Sequence, residues 1–574
     1  MLHRNNRAGR GLARYRARLN TSGTGARAKR VLTLLSVRRR SISKSITDVR
    51  VGIGLRRWFG LSEFRAGQEE TVRAVLDGDD VLAVMPTGAG KSLCYQLPAL
   101  LQGGLTLVVS PLIALMHDQI DKLTERGIRA VRLDSTMSDK QLLQVMDEIA
   151  AGEPRQPSIL YLTPERVADR EFRAELKARR PDGVTLFTVD EAHCISQWGH
   201  DFRPAYLGLG EAAEDLNARS ILALTATAPP KVRTDILDRL QIPDARVVAV
   251  GTVRPNLYFS VARARTETEK RKRLVALLER LQGQGIVYVA TVKAADELGA
   301  ALTDHGLKVG VYHGRLPSAV RSAVQDAFMQ GREGPRIMIA TNAFGLGVDK
   351  AALRFVVHYH FPGSLEAYYQ EAGRAGRDGK AAHCVLLYCP QDRRIQTFFL
   401  GGRYPDGDDL RRLVRALADG ARELDDLAGR AQLSTRKTQV LLMQLRDAGI
   451  VVETDQGYVP TGVQLKPDEL DLLVQSYVAR RVEDRRRLEA IERYSESTMC
   501  RVRILSTYFG EQAPPPCGRC DRCLRGAKTA RPLVAHPDFG EGEVIAQRGA
   551  LMTIFFPQVG EKTLHERFVK SVAG

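Results

Sequence analysis

Short, almost uninterrupted apolar runs alternate along this chain with longer stretches whose apolar positions recur every three or four residues. The first run, Val81–Met85, leads into a loop with two glycines and then a helical pattern from Lys91 onward. A later run, Val184–Val189, ends on two acids, Asp190 and Glu191. After residue 250 the grammar restarts, with GIVYVAT, KVGVYHG, PRIMIAT and RFVVHYH as β-rich runs between helical segments. Runs apolar on every residue suit strands covered on both faces, which is the condition of a parallel sheet. The pattern therefore predicts an α/β fold with two tandem parallel-sheet domains, over residues 51–250 and 251–402.

The pattern changes beyond that point. Residues 403–464 offer an apolar helix (Leu410–Leu417), a second around Leu424–Ala428, and a third over Thr435–Ala448. Ser434 is placed to cap the third helix and Gly449 to stop it. A hairpin follows, with Ile450–Glu453 and Tyr458-Val459 around a turn at Asp455-Gln456-Gly457. This is the outline of a winged helix. Arg436, Lys437 and Arg446 make its third helix basic, as a groove-binding helix would be. A spacer or protein-docking role fits the pattern equally. Residues 465–530 read as a long charged helix ending in a cysteine cluster, and 531–574 alternate around glycine turns like a small SH3- or Tudor-like barrel.

Composition narrows the choices. A chain of 574 residues with 44% hydrophobic content can build several cores, and no apolar run is long enough to span a bilayer. The net charge of +18 suggests nucleic acid until its distribution is considered. Residues 1–50 carry fourteen Lys and Arg against the single acid Asp48, so thirteen of the eighteen charges lie there and the remainder is only mildly basic. A disordered tail, a misplaced start, a DNA-tethering arm and an organelle transit peptide all fit that extension. No secretory hydrophobic region follows it, so a cytoplasmic location is expected. Cys94, Cys194, Cys384 and Cys389 are scattered among apolar neighbours, whereas Cys500, Cys517, Cys520 and Cys523 cluster. The cluster reads as a closed four-thiolate shell for a structural Zn²⁺, with Gly518 giving the knuckle room.

The two ends of the first lobe's strands carry the chemistry. Gly88 and Gly90 let a loop fold its N–H groups around phosphate at a helix N-terminus. Thr87 opens this Walker A variant; Lys91 is placed to reach the β/γ-phosphates and Ser92 to ligate Mg²⁺. Asp190 is then the expected Mg²⁺ partner and Glu191 the residue that polarises the attacking water. Together these residues predict an NTPase.

Longer stretches resemble one group of NTPases. Asp190-Glu191-Ala192-His193 resembles the second motif of superfamily 2 helicases, Ser110–Met116 motif Ia, and Leu224–Ala228, with Thr225 and Thr227, motif III. Asn342–Asp349 resembles motif V, and Gln370–Gly379, with Arg374 and Arg377, motif VI. Two further stretches are similar to the RecQ family in particular. Phe59-Gly60, Phe64-Arg65 and Gln68 match its motif 0, and Cys194–Pro204 matches its aromatic-rich loop. The cysteine cluster, with Tyr494 and Tyr508-Phe509-Gly510 ahead of it, resembles the RecQ zinc module.

The resemblance implies two RecA-like motor domains, with Gln68 reading the adenine edge, Arg65 also at the bound ATP, and Arg374 and Arg377 as arginine fingers at the γ-phosphate. It implies that His193, Trp198, His200, Phe202, Arg203, Thr225, Thr227, Asn342 and Asp349 couple ATP to DNA. Independently of the family, Trp198 and Phe202 can stack on unpaired bases and Arg203 can pair with phosphate; aromatic residues that anchor a core are the plainer alternative. The activity implied is ATP-dependent unwinding of DNA, 3′ to 5′, on single-stranded and forked duplex DNA in repair and recombination. Repair or single-strand-binding proteins are possible partners, and a monomer is expected. An RNA helicase, or a translocase that hydrolyses ATP without unwinding, shares the motor motifs. The winged-helix-like segment precedes the zinc module, whereas longer RecQ members place theirs after it.

Overall fold

The computed structural model describes residues 49–134, 137–150, 159–196, 201–331, 334–345, 350–401, 407–418, 422–447, 449–454, 457–462, 467–526 and 531–572. The first sheet has seven strands, β1 (Val81–Val84), β2 (Thr106–Val109), β3 (Ala130–Leu133), β4 (Ile159–Leu162), β5 (Leu186–Val189), β6 (Ile221–Thr225) and β7 (Arg246–Ala249). Their order is β3-β4-β2-β5-β6-β1-β7, and every neighbouring pair is parallel. β6 lies between β1 and β5, so the loops leaving these three strands meet at one edge. That is where a doubly wound sheet binds ligands. A helix over residues 49–59 begins before the expected boundary at 51, and buries Val51 and Leu55 against Leu93 and Leu97.

The second sheet holds β8 (Leu257–Arg263), β9 (Gln284–Tyr288), β10 (Val309–Tyr312), β11 (Ile337–Ala340), β12 (Leu353–His358) and β13 (Ala382–Tyr388). Its order is β10-β11-β9-β12-β13-β8, again parallel throughout. One face packs on its own helices through Leu274, Leu298 and Leu302. The other face shares a core with the cysteine-bearing region: Phe259, Tyr368 and Leu386 belong to the same buried cluster as Ile491, Tyr494, Ile504 and Phe509. The zinc region is thus an extension of the second lobe's interior.

Between them, helices Gly407–Ala418, Leu424–Ala431 and Thr435–Asp447 and the antiparallel hairpin β14 (Val451–Thr454) and β15 (Gly457–Pro460) form the winged-helix outline. Leu410, Leu413, Leu427, Leu441 and Leu445 fill its separate core. Ser434 Oγ accepts from the Lys437 N–H at 3.3 Å, and Gly449 takes φ +71°, as the cap and stop require. The basic character expected of the third helix is partly spent: the Lys437 ammonium donates to buried Asp409 at 2.7 Å, and Arg412 pairs with the same carboxylate. The Arg436 side chain and the turn at 455–456 lie outside the described residues.

A 30-residue helix, Pro467–Glu496, leads to the cysteines. The chain ends in an antiparallel sheet ordered β19-β18-β17-β16-β20, made of β16 (Leu533–His536), β17 (Gly540–Arg548), β18 (Leu551–Phe556), β19 (Gly560–His565) and β20 (Lys570–Ser571). This tail is docked. The fully buried Glu543 carboxylate accepts from Ser497 Oγ at 2.5 Å, from the Thr498 N–H at 2.9 Å and from Thr498 Oγ1. Among the described residues, no helix is long and apolar enough to cross a membrane.

Candidate nucleotide cleft and zinc module

The loop after β1 holds Gly88 at φ +84° and Gly90 at φ +79°, conformations that a side chain disfavours. At Gly90 a Cβ would also lie 2.6 Å from Gln68 Nε2. Gln68 is buried and threads the loop: its amide donates to the carbonyls of Ala89 and Gly90, both at 2.9 Å, and its Oε1 accepts from the Arg65 N–H at 2.8 Å. Arg65 Nη1 donates to Gly88 O at 2.6 Å. Arg65 and Gln68 therefore brace the phosphate loop. The Thr87 hydroxyl is buried there without a hydrogen-bond partner, a donor free for an anionic oxygen. Lys91 Nζ lies 3.5 Å from Met85 O, and Ser92 is the N-cap residue of helix Leu93–Gln102.

At the end of β5, burial first and the Glu191 carboxylate second push the Asp190 carboxyl up to about 6, against the pull of Lys91. A carboxyl raised in this way, with the Lys91 ammonium and a second carboxylate for neighbours, is a fit for a divalent cation. Glu191 is one of the few non-glycine residues with positive φ, +49°, backbone strain of the kind found where a side chain must be aimed. His193 Nδ1 lies 3.0 Å from Thr225 Oγ1 and 3.3 Å from Glu191 Oε2. Thr225 spends its own proton on Thr227 O at 3.1 Å, so its oxygen accepts from the imidazole and Nδ1 carries the hydrogen. Glu191, His193, Thr225 and Thr227 form one chain linking the ends of β5 and β6.

The same chain reaches the loop beyond. Cys194 Sγ lies 3.8 Å from His193 Nε2 and 3.9 Å from Asp201 Oδ2. Arg203 pairs with Asp201 at 3.4 Å and donates to Pro111 O at 3.4 Å, in the stretch that resembles motif Ia. Phe202 is half-buried beside it. Trp198 and His200 lie outside the described residues, as does Asp349.

The second lobe closes the cleft. Carbons of the Arg377 side chain pack over Gly88, where a Cβ would meet Cγ at 3.0 Å, and a Cβ on Gly373 would meet the Thr87 side chain at 3.1 Å. Arg374 is buried deeper, beside Tyr288 and Gly345, with its Nε lacking an acceptor. Asn342 sits exposed in a 3-10 turn after β11, and its carbonyl faces Gly345. The two arginines thus stand at different depths, Arg377 against the phosphate loop and Arg374 behind it.

Sequence reasoning missed the residue that joins the lobes. Arg254, in the connection between β7 and β8, donates from Nη1 to Thr87 O (3.3 Å) and Gly373 O (2.6 Å), and from Nη2 to Ala375 O (3.0 Å) and Gly376 O (2.6 Å). Asn256 adds a bond to Gly376 O at 2.7 Å. Every partner is a backbone carbonyl, so no side-chain motif announces the contact. Only the Arg254-Pro255-Asn256 triplet, with proline stiffening a lobe connection, could have pointed there.

Cys500, Cys517, Cys520 and Cys523 bring their sulfurs within 4.8 Å of one another, with Cys517–Cys523 and Cys500–Cys520 each at 3.9 Å. Four thiolates around zinc at a bond length of about 2.3 Å stand roughly 3.8 Å apart. The hydrogen bond between Cys500 and Cys520 draws the Cys520 thiol down and pushes the Cys500 thiol up, so one of the pair is held toward the thiolate that a metal requires. Among the described residues, Glu267, His360 and Asp392 also converge, but the Lys270 ammonium fills their centre, 2.9 Å from Glu267 and 2.8 Å from Asp392. That site is taken by an ion pair.

Comparison with known proteins agrees with this geometry. The DEAD/DEAH box helicase family matches residues 65–236, the helicase conserved C-terminal domain matches 269–379, and the RecQ zinc-binding family matches 470–524. The chain is 35% identical over 477 residues to the probable ATP-dependent DNA helicase RecS of Bacillus subtilis, covering 82% of this chain and 90% of that protein. The chain belongs to the RecQ family. It is also 43% identical over 352 residues to the ATP-dependent DNA helicase RecQ of Bacillus subtilis, and 35% identical over 476 residues to RecQ of Haemophilus influenzae. These matches cover 60% and 83% of this chain but only 57% and 64% of those two relatives, so the chain spans less than two thirds of their length. Membership of the family accounts for the two RecA-like lobes and for a structural Zn²⁺ on the four cysteines.

Proposed function

We propose that this protein is an ATP-dependent DNA helicase of RecQ type, moving 3′ to 5′ on single-stranded DNA and unwinding forked duplexes in repair and recombination. One observation carries the reading: Arg377 of the second lobe lies on Gly88 of the phosphate loop, so both halves of a hydrolytic site face one cleft. Gly88, Gly90, Thr87 and Lys91 cradle the phosphates, and Ser92 and Asp190 hold Mg²⁺, which supplies charge neutralisation at the β/γ-oxygens. Glu191 orients the water. Arg377 is the main finger, while Arg374 reaches the γ-phosphate as the lobes close. The chain of Glu191, His193, Thr225 and Thr227, continued through Cys194 and Arg203, reports DNA at the 194–204 loop to the hydrolytic residues. One cleft is complete within one chain, which supports a monomer.

The test is ATPase and strand separation on a 3′-tailed duplex, beside Lys91→Ala. Unwinding that requires Lys91, ATP and Mg²⁺, with turnover lost by about 10²-fold or more in the variant, supports the reading. Stimulation by RNA and not by DNA would redirect it to an RNA helicase. DNA-stimulated hydrolysis without strand separation would make the protein a translocase.

A further inference from the structure

Residues 250–256 are the covalent connection between the lobes, and they are held from outside the motor. The Thr252 N–H donates to Glu511 Oε1 at 2.6 Å, Thr252 Oγ1 donates to Glu511 Oε2 at 3.1 Å, and Ser506 Oγ stands 3.1 Å from the same hydroxyl. The Thr252 carbonyl accepts from Tyr369 OH at 2.5 Å. Two residues further along, Arg254 makes its four bonds, one to the phosphate loop and three to the end of the arginine-bearing segment. A planar guanidinium holds such a set of carbonyls in fixed relative positions, which an ammonium on a flexible stem does not.

The other end of this path is equally fixed. Glu511 lies between Cys500 and Cys517, and the Cys517 N–H donates to Cys500 Sγ at 3.3 Å. The intervening segment also grips both lobes. Phe509 O accepts from Arg233 of the first lobe at 3.0 Å, and Tyr508 OH donates to Glu366 of the second at 2.8 Å. Gly510 is pressed against Pro230, where a Cβ would come within 2.5 Å.

We propose that Glu511, through Thr252 and Arg254, is the positioning element for the arginine fingers: the zinc module sets the lobe connection, and the connection sets Arg374 and Arg377 against the phosphate loop. Neither Glu511 nor Arg254 is a catalytic residue in this scheme, and both act on the closed cleft and not on nucleotide capture. The inference rests on the ATPase reading above.

The test uses the full chain with Arg254→Lys, Glu511→Ala and Glu511→Gln. DNA-stimulated kcat and KM, the Kd of a methylanthraniloyl-ATP probe, zinc content and the thermal midpoint are measured on each. Arg254→Lys and Glu511→Ala should lose about tenfold or more in kcat, while KM and probe Kd stay within about threefold. Glu511→Gln should recover most of kcat, since its amide oxygen accepts the Thr252 N–H and its NH₂ can donate to the Thr252 hydroxyl. Unchanged kcat in Glu511→Ala overturns the proposal, as does a Gln variant as impaired as the Ala variant. A fall in kcat that merely tracks lost zinc or a lowered midpoint also overturns it. A wild-type chain that does not hydrolyse ATP at all removes the ATPase reading, and this inference falls with it.

Discussion

Single residues set the local energetics of the cleft. Gly90→Ala would combine an unfavourable φ with a Cβ placed 2.6 Å from Gln68 Nε2, and Gln68 is what braces the loop. Weaker ATP-analogue binding and a stability loss of about 1–2 kcal/mol are expected, read by probe titration and denaturant unfolding. His360 offers a pH test. Burial, and then the Lys270 ammonium, hold its imidazole down to about 3, and its Nδ1 accepts from the Ala290 N–H at 3.2 Å. Between about pH 3 and 6.5 the unfolded chain takes up a proton there and the fold does not, so this contribution is whole above 6.5 and declines as pH falls. Asp392, raised to about 6 mainly by burial, acts in the opposite sense over a similar range. Comparison with His360→Asn, which keeps an acceptor for Ala290, isolates the imidazole. The variant should gain on wild type by about 2 kcal/mol between pH 7 and 5, and parallel pH profiles would refute the assignment.

Elements show which physical signals survive in sequence. The strands β1, β5, β9, β11 and β12 were legible because burial on both faces makes them apolar at nearly every residue. β8, an edge strand, alternates buried and exposed positions and went unnoticed, and so did its partner β13. The phosphate-loop glycines and the cysteine spacing were legible because local geometry demands specific residue types. Arg254 and Glu511 were not, because their partners lie far away in sequence and all but the Thr252 hydroxyl are backbone groups. The tail shows the same limit: its alternation predicted strands, but nothing in it predicted that Glu543 would be buried under three donors at the end of the long helix. Glu543→Ala strands those donors and should cost about 2–4 kcal/mol, read as a drop in the denaturant midpoint. An unchanged midpoint would mean that the tail is not anchored there.

At the scale of the whole molecule, the shared core between the second sheet and the zinc region implies common melting. Tyr368 packs on Tyr494 with ring centroids 5.2 Å apart, and Tyr369 on Phe509 at 5.3 Å. Chelation of zinc, or Cys520→Ser, should therefore lower one cooperative transition that includes the second lobe, with the first lobe's transition changed least. Separate melting of an intact second lobe in the calorimeter would contradict the continuity of that core.

Thr252 and Glu511 stand 259 residues apart in the chain. Synthesis runs at roughly 5–20 residues per second, so Glu511 leaves the ribosome between about ten and fifty seconds after the connection it fastens. A nascent chain in that interval can already make the Arg254 bonds between Thr87 and the 373–376 segment, but it lacks the Glu511 carboxylate that holds Thr252. The contact that fastens the lobe connection is therefore encoded late in the chain, and it can form only once the segment between Cys500 and Cys517 has been made.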